Sequence, residues 1–476
     1  MPMRLRALCY AAVACLALAP LAVARAQAPT SHSLDWDALG REAVALLSDY
    51  IRINTTNPPG NELAGAHFLR RVLEREGIEV QILDTTGLGP GRANLYARLK
   101  GSGGQRAVAL VHHIDVVPAD PRYWTVDPFG GVVKDGYVWG RGAIDFKGQG
   151  IAHLVALLAL KRSGVPLTRD VVFIANADEE LLGTRGAAVF VQRHPELLRD
   201  VEYVINEGAW NRVEDGRLLF YSVAVAEKLN FSQRITVRGT PGHASRPNRD
   251  NPVPRLIEAL AALNKFEAPL TVSPVVDRYF RGIAPMYVGQ QRRWLENVRA
   301  ALANDSARAW ILSDPSWHAY LRNTVQITVL KASEKPNVVP PEASAELDIR
   351  LLPGTDTAAF LASLRAAVPD PQVSWSRIFP VKTSLESPMD TELFRVIERL
   401  ARERTPGAIV VPLLVPGGTD MPWYRPLRLT AYGVDPFRIE RTEQQRGSHG
   451  NDERVPVSTL GDGVRFIYDL LRGLER

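Results

Sequence analysis

Short, nearly continuous apolar runs alternate with segments whose apolar positions recur every three to four residues along the first half of the chain. The segments 35–53 and 62–77 predict amphipathic helices, separated by the turn-forming stretch NTTNPPGN. RANLYARL, RAVALVHHI, DVVFIANA and VEYVINE predict strands, and a helix is predicted from about Lys147 to Arg162, closed by Gly164. Strands alternating with helices predict an α/β layered domain with a largely parallel sheet. Ligands of such sheets gather beyond the carboxyl ends of the strands, so the residues just after each apolar run are the ones to inspect.

The pattern changes near Glu227. KLNFSQRITVRG, NTVQITVLKA and ASAELDIRLLP alternate apolar and polar positions, and helical stretches stand at about 252–265 and 356–367. This predicts a smaller α+β domain, residues 227–380, inserted between two parts of the first domain at 31–226 and 381–476. Residues 266–320, rich in Trp, Tyr and Arg, read as mostly helical, with no role assigned from the sequence.

The first 26 residues stand apart. Arg4 and Arg6 precede an apolar, alanine-rich stretch from Ala7 to Ala24, and small residues follow at a cleavage-like position. This is the pattern of a secretory signal peptide, and the run is short for a membrane span. A periplasmic or extracellular protein is the expectation. Both cysteines, Cys9 and Cys15, fall inside this segment, which leaves no disulfide or thiolate site in a mature chain. Removal of its three arginines takes the formal net charge from +5 to +2, with 54 basic residues against 52 acidic ones. Charge therefore gives no argument for a nucleic acid or an anionic membrane as partner. No later stretch is long and apolar enough to span a bilayer.

Acids and histidines cluster after the predicted strands. His113 and Asp115 follow AVALV, and two-residue spacing in extended chain directs both side chains to one face. Asp145 sits in the glycine-rich turn GRGAIDFKG, Asp178-Glu179-Glu180 follows VVFIANA, Glu207 ends YVINE, and His449 lies in GSHGNDER. Carboxylates gathered at one sheet edge repel, each 4 Å pair by about 4 kcal/mol at an effective dielectric constant near 20. Protonation or bound cations relieve that repulsion. With histidine present and no cysteine, the donor set points to a borderline metal such as zinc rather than calcium. Taken singly, each residue has a plain structural explanation, which is how His67, His112, His153, His194 and His318 are read. GRGAID fails as a dinucleotide fingerprint, and no G-x-S-x-G elbow or H-E-x-x-H helix is present.

HHIDVVP, GRGAIDFKG, ADEELLG, RGTPGHASRP, KPNVVP, DIRLLPG, GGTD and SHGNDER together resemble the ordered motifs of a two-zinc metallopeptidase family. That family includes aminoacylase, carboxypeptidase S and succinyl-diaminopimelate desuccinylase. The motifs cover roughly residues 50–470, and their wording is most similar to the carboxypeptidase S and N-acyl-amino-acid hydrolase branch.

The resemblance implies a zinc-peptidase-type α/β catalytic domain with an inserted α+β lid and dimerisation domain. It implies two Zn2+ per chain, with Co2+ or Mn2+ as substitutes, and Asp145 as the carboxylate that bridges them. His113 and Glu207 would complete one metal, Glu180 and His449 the other. Asn206 stands before Glu207 where related aminoacylases often carry Asp. Asp115 would orient His113, as carboxylates behind ligating imidazoles do, and Glu179 would be the general base. His243 would stabilise the oxyanion, contributed across a homodimer interface. Arg350 would clamp a substrate carboxylate, with Asn337 and the Gly417-Gly418-Thr419-Asp420 turn lining the same cleft.

The activity implied is hydrolysis of an amide bond beside a free carboxylate by a metal-bridging hydroxide, in a dipeptide, a peptide C-terminus or an N-acyl amino acid. Two alternatives accompany it: a non-catalytic binding protein on the same scaffold, and an N-acyl amino acid synthase/hydrolase working in both directions.

Overall fold

A computed structural model describes residues 33–475 except 247, 381 and 383. The segment read as a signal peptide lies outside the described residues. The apolar runs form a nine-stranded sheet. At its centre Ala107–His113 lies between Val171–Asn176 and Val201–Asn206, with Thr430–Val434 beyond the latter, and these neighbours run parallel. Every residue of Ala107–His113 and Val171–Asn176 is buried, as expected of strands covered on both faces.

The sheet is mixed rather than largely parallel. Val80–Leu83, Asn94–Leu99 and Val171–Asn176 pair antiparallel, as do Thr430–Val434 and Arg217–Glu227. Residues 84–93 join the first two of these strands by turns alone, and a parallel pair would need a longer crossover. The helix Lys147–Ser163 is buried over nearly its whole length. It packs on the two central strands and is covered in turn by Trp36–Ile51 and Val457–Gly473, which is why it is apolar all round.

A second sheet, antiparallel throughout, contains Leu229–Asn230, Gln233–Arg238, Thr324–Lys331, Glu342–Leu351 and Ser374–Arg377. Along Glu342–Leu351 every second residue from Ala343 to Leu351 is buried. These residues share a separate small core with Leu256, Leu260 and Leu263 of the helix Pro252–Asn264 and with Phe360 and Leu364 of Thr357–Ala367. The molecule is thus an α/β unit carrying a smaller α+β unit. At the crossing between the sheets, the buried Lys228 ammonium donates to the Ala319 and Arg322 carbonyls and the Thr324 hydroxyl at 3.1, 2.9 and 3.0 Å.

Residues 266–320 pack unlike their place in the chain suggests. The sequence groups them with the insertion, yet Val276, Tyr279, Phe280, Trp317 and Tyr320 belong to the large core. The helix Pro274–Ile283 lies on the edge strand Ile409–Val415 and on Arg217–Glu227. An outer strand of a large sheet offers an apolar face that a helix can cover.

Candidate metal centre

The parallel central strands deliver their carboxyl ends to one edge, and the site is built there. Asp145 precedes the helix Lys147–Ser163 on a turn fixed by Glu453. The buried Glu453 carboxylate accepts from the backbone N–H groups of Gly142, Ile144 and Asp145 at 3.1, 2.7 and 2.9 Å and from Arg141 Nη1 at 2.7 Å. Glu179 and Glu180 sit on the one-turn helix Glu179–Leu181 after Val171–Asn176. Glu207 follows Val201–Asn206 directly. A Cβ on Gly433 would come 1.9 Å from the Glu207 carbonyl oxygen, so only glycine lets the neighbouring strand pass this close.

His113 Nδ1 donates to the Asp115 main-chain carbonyl at 2.9 Å. A carbonyl can only accept, so Nδ1 carries the hydrogen and Nε2 of the neutral ring keeps its lone pair for the site. That Nε2 lies 3.3 Å from Asp145 Oδ1 and 3.8 Å from Glu207 Oε2. His449 Nε2 stands 3.2 Å from Asp145 Oδ2 and 3.2 Å from Glu180 Oε2. Donor atoms of His113, Asp145 and Glu207 lie within 4.8 Å of one another, and so do those of Asp145, Glu180 and His449. The two groups share Asp145.

The Asp115 carboxylate takes a different task from the one the sequence suggests. It stands 3.7 Å from His113 Nδ1 and accepts instead from the Glu179 and Glu180 N–H groups at 3.1 and 3.2 Å and from Asn57 Nδ2 at 2.8 Å. It holds the acidic turn in place, and the imidazole is oriented by its backbone carbonyl. Asp178, beside that turn, accepts from Arg92 Nη1 at 2.7 Å and from the Arg185 N–H at 2.9 Å.

Charge in the cluster is poorly compensated by protein alone. Burial and the nearby Glu207 charge raise the pKa of Glu179, and burial raises that of Glu207. Burial and Asp145 raise Glu180 as well. Asp145 moves the other way: burial opposes its ionisation, but with no cation bound the His113 and His449 rings take up protons and their Nε2–H groups donate to Asp145, holding it below the usual carboxylate range. Hydrogen bonds to Asp145 and Glu180 push His449 up to about 10. Glu180 Oε1 and Glu207 Oε1 are buried with no hydrogen-bond partner among the described residues. Unpaired acceptors of this kind are costly unless a cation takes them up. Imidazole nitrogens and carboxylates without thiolate suit zinc, and each group of three leaves room for water or substrate, as catalytic sites require.

A cleft beside Glu179, Glu180 and His449 is lined by Arg350, Lys382 and Lys228 together with Gly417 and Gly418. Arg350 Nε donates to Asp348 at 2.8 Å. Lys382 Nζ donates to the Thr419 carbonyl at 3.0 Å, while the Thr419 N–H and hydroxyl donate to the buried Glu227 carboxylate at 3.0 and 2.7 Å. His243 is not brought to this cleft. It is exposed in a two-stranded ribbon, Gly242–His243 with Val338–Val339, where Asn337 accepts from the Ala244 N–H at 3.0 Å. Glu453, Asn57, Lys382 and Glu227 went unseen in the sequence. Glu453 alone had a signal, as part of the SHGNDER motif.

The family model "Peptidase family M20/M25/M40" matches residues 109–473. The N-fatty-acyl-amino acid synthase/hydrolase PM20D1 of Xenopus tropicalis is 29% identical over 377 residues, covering 77% of this chain and 72% of its own length. The probable carboxypeptidase S-like 2 of Dictyostelium discoideum is 27% identical over 381 residues, 78% of this chain and 72% of its own. The solved metallo-carboxypeptidase Sso-CP2 of Sulfolobus solfataricus superposes with a TM-score of 0.70 at 17% identity, over 90% of this chain and 98% of its own. The chain belongs to peptidase family M20/M25/M40 and is a hydrolase of the metallo-carboxypeptidase or aminoacylase type.

Proposed function

We propose that this protein hydrolyses an amide bond next to a free carboxylate, in a dipeptide, a peptide C-terminus or an N-acyl amino acid. One observation carries the reading: two groups of metal-type donors share Asp145, and Glu180 and His449 of one group line, with Glu179, a cleft that also holds Arg350, Lys382 and Lys228. His113, Asp145 and Glu207 would hold one divalent cation, and Asp145, Glu180 and His449 the other. Zinc is the metal this donor set favours, with Co2+ or Mn2+ as substitutes. Such a pair, when bound, polarises a carbonyl oxygen and acidifies a water.

The chain's own groups do the rest. Glu179 takes the water proton on its carboxylate as the water oxygen bonds to the carbonyl carbon, and delivers that proton to the nitrogen as the C–N bond breaks. Arg350 receives the substrate carboxylate with a two-pronged hydrogen bond, and the Gly418-Thr419 backbone, anchored by Glu227 and Lys382, forms the facing wall. Asp115 and Glu453 position the two turns.

His243 and Asn337 would reach the substrate when the inserted unit, residues 227–380, closes or when a second copy of the chain supplies them. The same site catalyses condensation when product concentrations favour it. Residues 1–26 would direct export, with amino-terminal sequencing of secreted protein as the check.

Glu179→Gln provides the test. The variant retains two metals per chain by elemental analysis and loses turnover of N-acyl amino acids and dipeptides by a factor of about 100 to 10,000. Near-normal turnover in the metal-loaded variant contradicts the assignment of Glu179.

A further inference from the structure

The chain passes between the two units more often than an insertion requires. One crossing leads out at 227–229 and one leads back before Ser384, and residues 266–320 add a further pair. On the way in, Phe266 and Ala268 still pack in the small core, while Val272 and Phe280 belong to the large one. On the return, Leu321 lies in the large core and Val325 packs against the small one. Between these two crossings the helix Pro274–Ile283 is bedded on Ile409–Val415.

Hydrogen bonds lace the crossings together. The Thr271 N–H donates to the Leu321 carbonyl at 2.7 Å, and Arg322 pairs with Glu267 at 3.1 Å. Lys228, on the outgoing crossing, grips the added return crossing through the Ala319 and Arg322 carbonyls and the Thr324 hydroxyl. Its own backbone N–H donates to the Val415 carbonyl of the large sheet at 2.8 Å. Ser384 Oγ closes the set by donating to the Glu227 carbonyl at 2.8 Å. Two linkers alone could absorb a hinge rotation in their backbone angles, whereas crossings tied side by side and anchored in a packed core resist one.

Arg350 stands at the root of the small unit. In the antiparallel register it faces Asn230 on one side and Thr324 on the other. Asn230 lies two residues beyond Lys228, and Thr324 is bonded to it. His243 lies at the opposite end. The ribbon that carries it follows Arg238, whose partner Glu342 begins the ten-residue strand that ends at Leu351, roughly 30 Å away at 3.4 Å per residue. A swing about the crossings would therefore carry His243 far and Arg350 little. Arg350 already lines the cleft with Glu179, Glu180 and His449.

We propose that residues 266–320 are a strut, pinned by Lys228, that fixes the small unit on the large one and holds Arg350 beside the donor cluster before substrate arrives. The task of Arg350 rests on the amide-hydrolase reading; the strut does not. Lys228 is a positioning residue that acts through Arg350. With the swing blocked, His243 is left to the site of a second copy of the chain.

Spin labels test the strut. With Cys9 and Cys15 replaced by Ser the chain has no native cysteine, so Glu74→Cys and Ala366→Cys, exposed helix positions on the two units, carry the only labels. Pulsed electron resonance is expected to show one distance population, the same in metal-free protein, in zinc-loaded protein and in zinc-loaded Glu179→Gln saturated with N-acetyl-leucine. A second population, or a mean that shifts on adding N-acetyl-leucine, overturns the strut.

Lys228→Met keeps the side-chain length, drops the donors and broadens the distance population. In the otherwise unaltered, metal-loaded protein it lowers the ratio of kcat/KM for N-acetyl-leucine to that for its amide about three- to tenfold, and it adds nothing to the loss in Arg350→Ala. A general loss of folded protein leaves this ratio unmoved. An unchanged distance population with an unchanged ratio overturns the pin. A further fall of the ratio in the Arg350→Ala background makes Lys228 a direct partner of the carboxylate and overturns its positioning role. If neither compound is cleaved, the hydrolase reading fails, and the distances decide the strut by themselves.

Discussion

The edge of the large sheet and the ribbon of the small unit both carry histidine in a polar setting, yet only one forms a site by itself. His113, Glu179, Glu180 and Glu207 leave the ends of buried parallel strands, and the backbone ladder, with the turns that Glu453 and Asp115 brace, brings them close to Asp145. His243 stands on an exposed two-stranded ribbon, bonded through Nδ1 to Ser245, with Asn337 beside it on the Ala244 N–H. A ligand set placed by a buried sheet is assembled before any ligand arrives. A pair on an exposed ribbon depends on closure or on a second copy to become part of the same chemistry.

This contrast can be broken most severely at Asp145, the residue common to both donor groups. Asp145→Ala removes both metals, measured by elemental analysis, and with them all detectable turnover; retention of two metals per chain contradicts a shared ligand. His243→Ala is expected to cost about 100- to 1,000-fold in kcat with both metals kept, the scale of losing one oxyanion donor. Mixing that variant with Glu179→Gln restores part of the activity if His243 acts across a homodimer, and restores none if it acts within its own chain.

Arg350→Ala comes next. A charge-assisted hydrogen bond is worth about 1.5–3 kcal/mol, so kcat/KM falls roughly 10- to 150-fold for substrates with a free carboxylate. For the corresponding amides, which carry no such charge, it changes little, and equal losses on both would place Arg350 elsewhere. Glu453→Gln weakens the turn beneath Asp145 without touching a metal. Metal affinity, followed by competition with a chelator, falls about 10- to 100-fold. An unchanged affinity separates Glu453 from the centre.

The smallest effect is on stability. Without metal, burial pushes Asp420, which accepts from Asn176 Nδ2 at the end of Val171–Asn176, up to about 6 and Glu62, beside Arg92 behind the acidic turn, up to about 7, and it raises Glu207 in the donor cluster. A carboxyl whose folded pKa lies above its unfolded value near 4 stabilises the fold most below that value and loses the contribution as pH rises through the folded pKa. These groups therefore lower the thermal midpoint of metal-free protein as pH rises from about 4 to 7, and replacing Glu62 and Asp420 by Gln and Asn removes that fall. Calorimetry that shows a rising metal-free midpoint over this range contradicts the charged cluster.

The sheet-edge part of the site was legible because period-two strands ending in acids and histidines specify both the face and the end where side chains gather. The resemblance then named the same five donor residues that the fold brings within reach. What stayed hidden depends on which segments oppose one another. Nothing in SHGNDER marks Glu453 as an interior group, yet it is buried and bonded to three backbone N–H groups more than three hundred residues earlier in the chain. Asp115 was seen on the correct face, but spacing could not show that its carboxylate faces the Glu179-Glu180 turn while its carbonyl faces the imidazole. Residues 266–320 show helical periodicity without saying which sheet they cover, and the edge strand Ile409–Val415 that receives them lies some ninety residues further on.

The claim that matters most is that one chain holds two metals through a common carboxylate and hydrolyses amides only when both are present. Titration of metal-free protein with zinc, with bound metal and N-acyl amino acid cleavage measured in the same samples, examines it directly. Cleavage that reaches its maximum at two zinc ions per chain, and vanishes again on chelation, is the predicted result. Cleavage that persists after complete metal removal, or binding that saturates at one ion per chain with full activity, contradicts it.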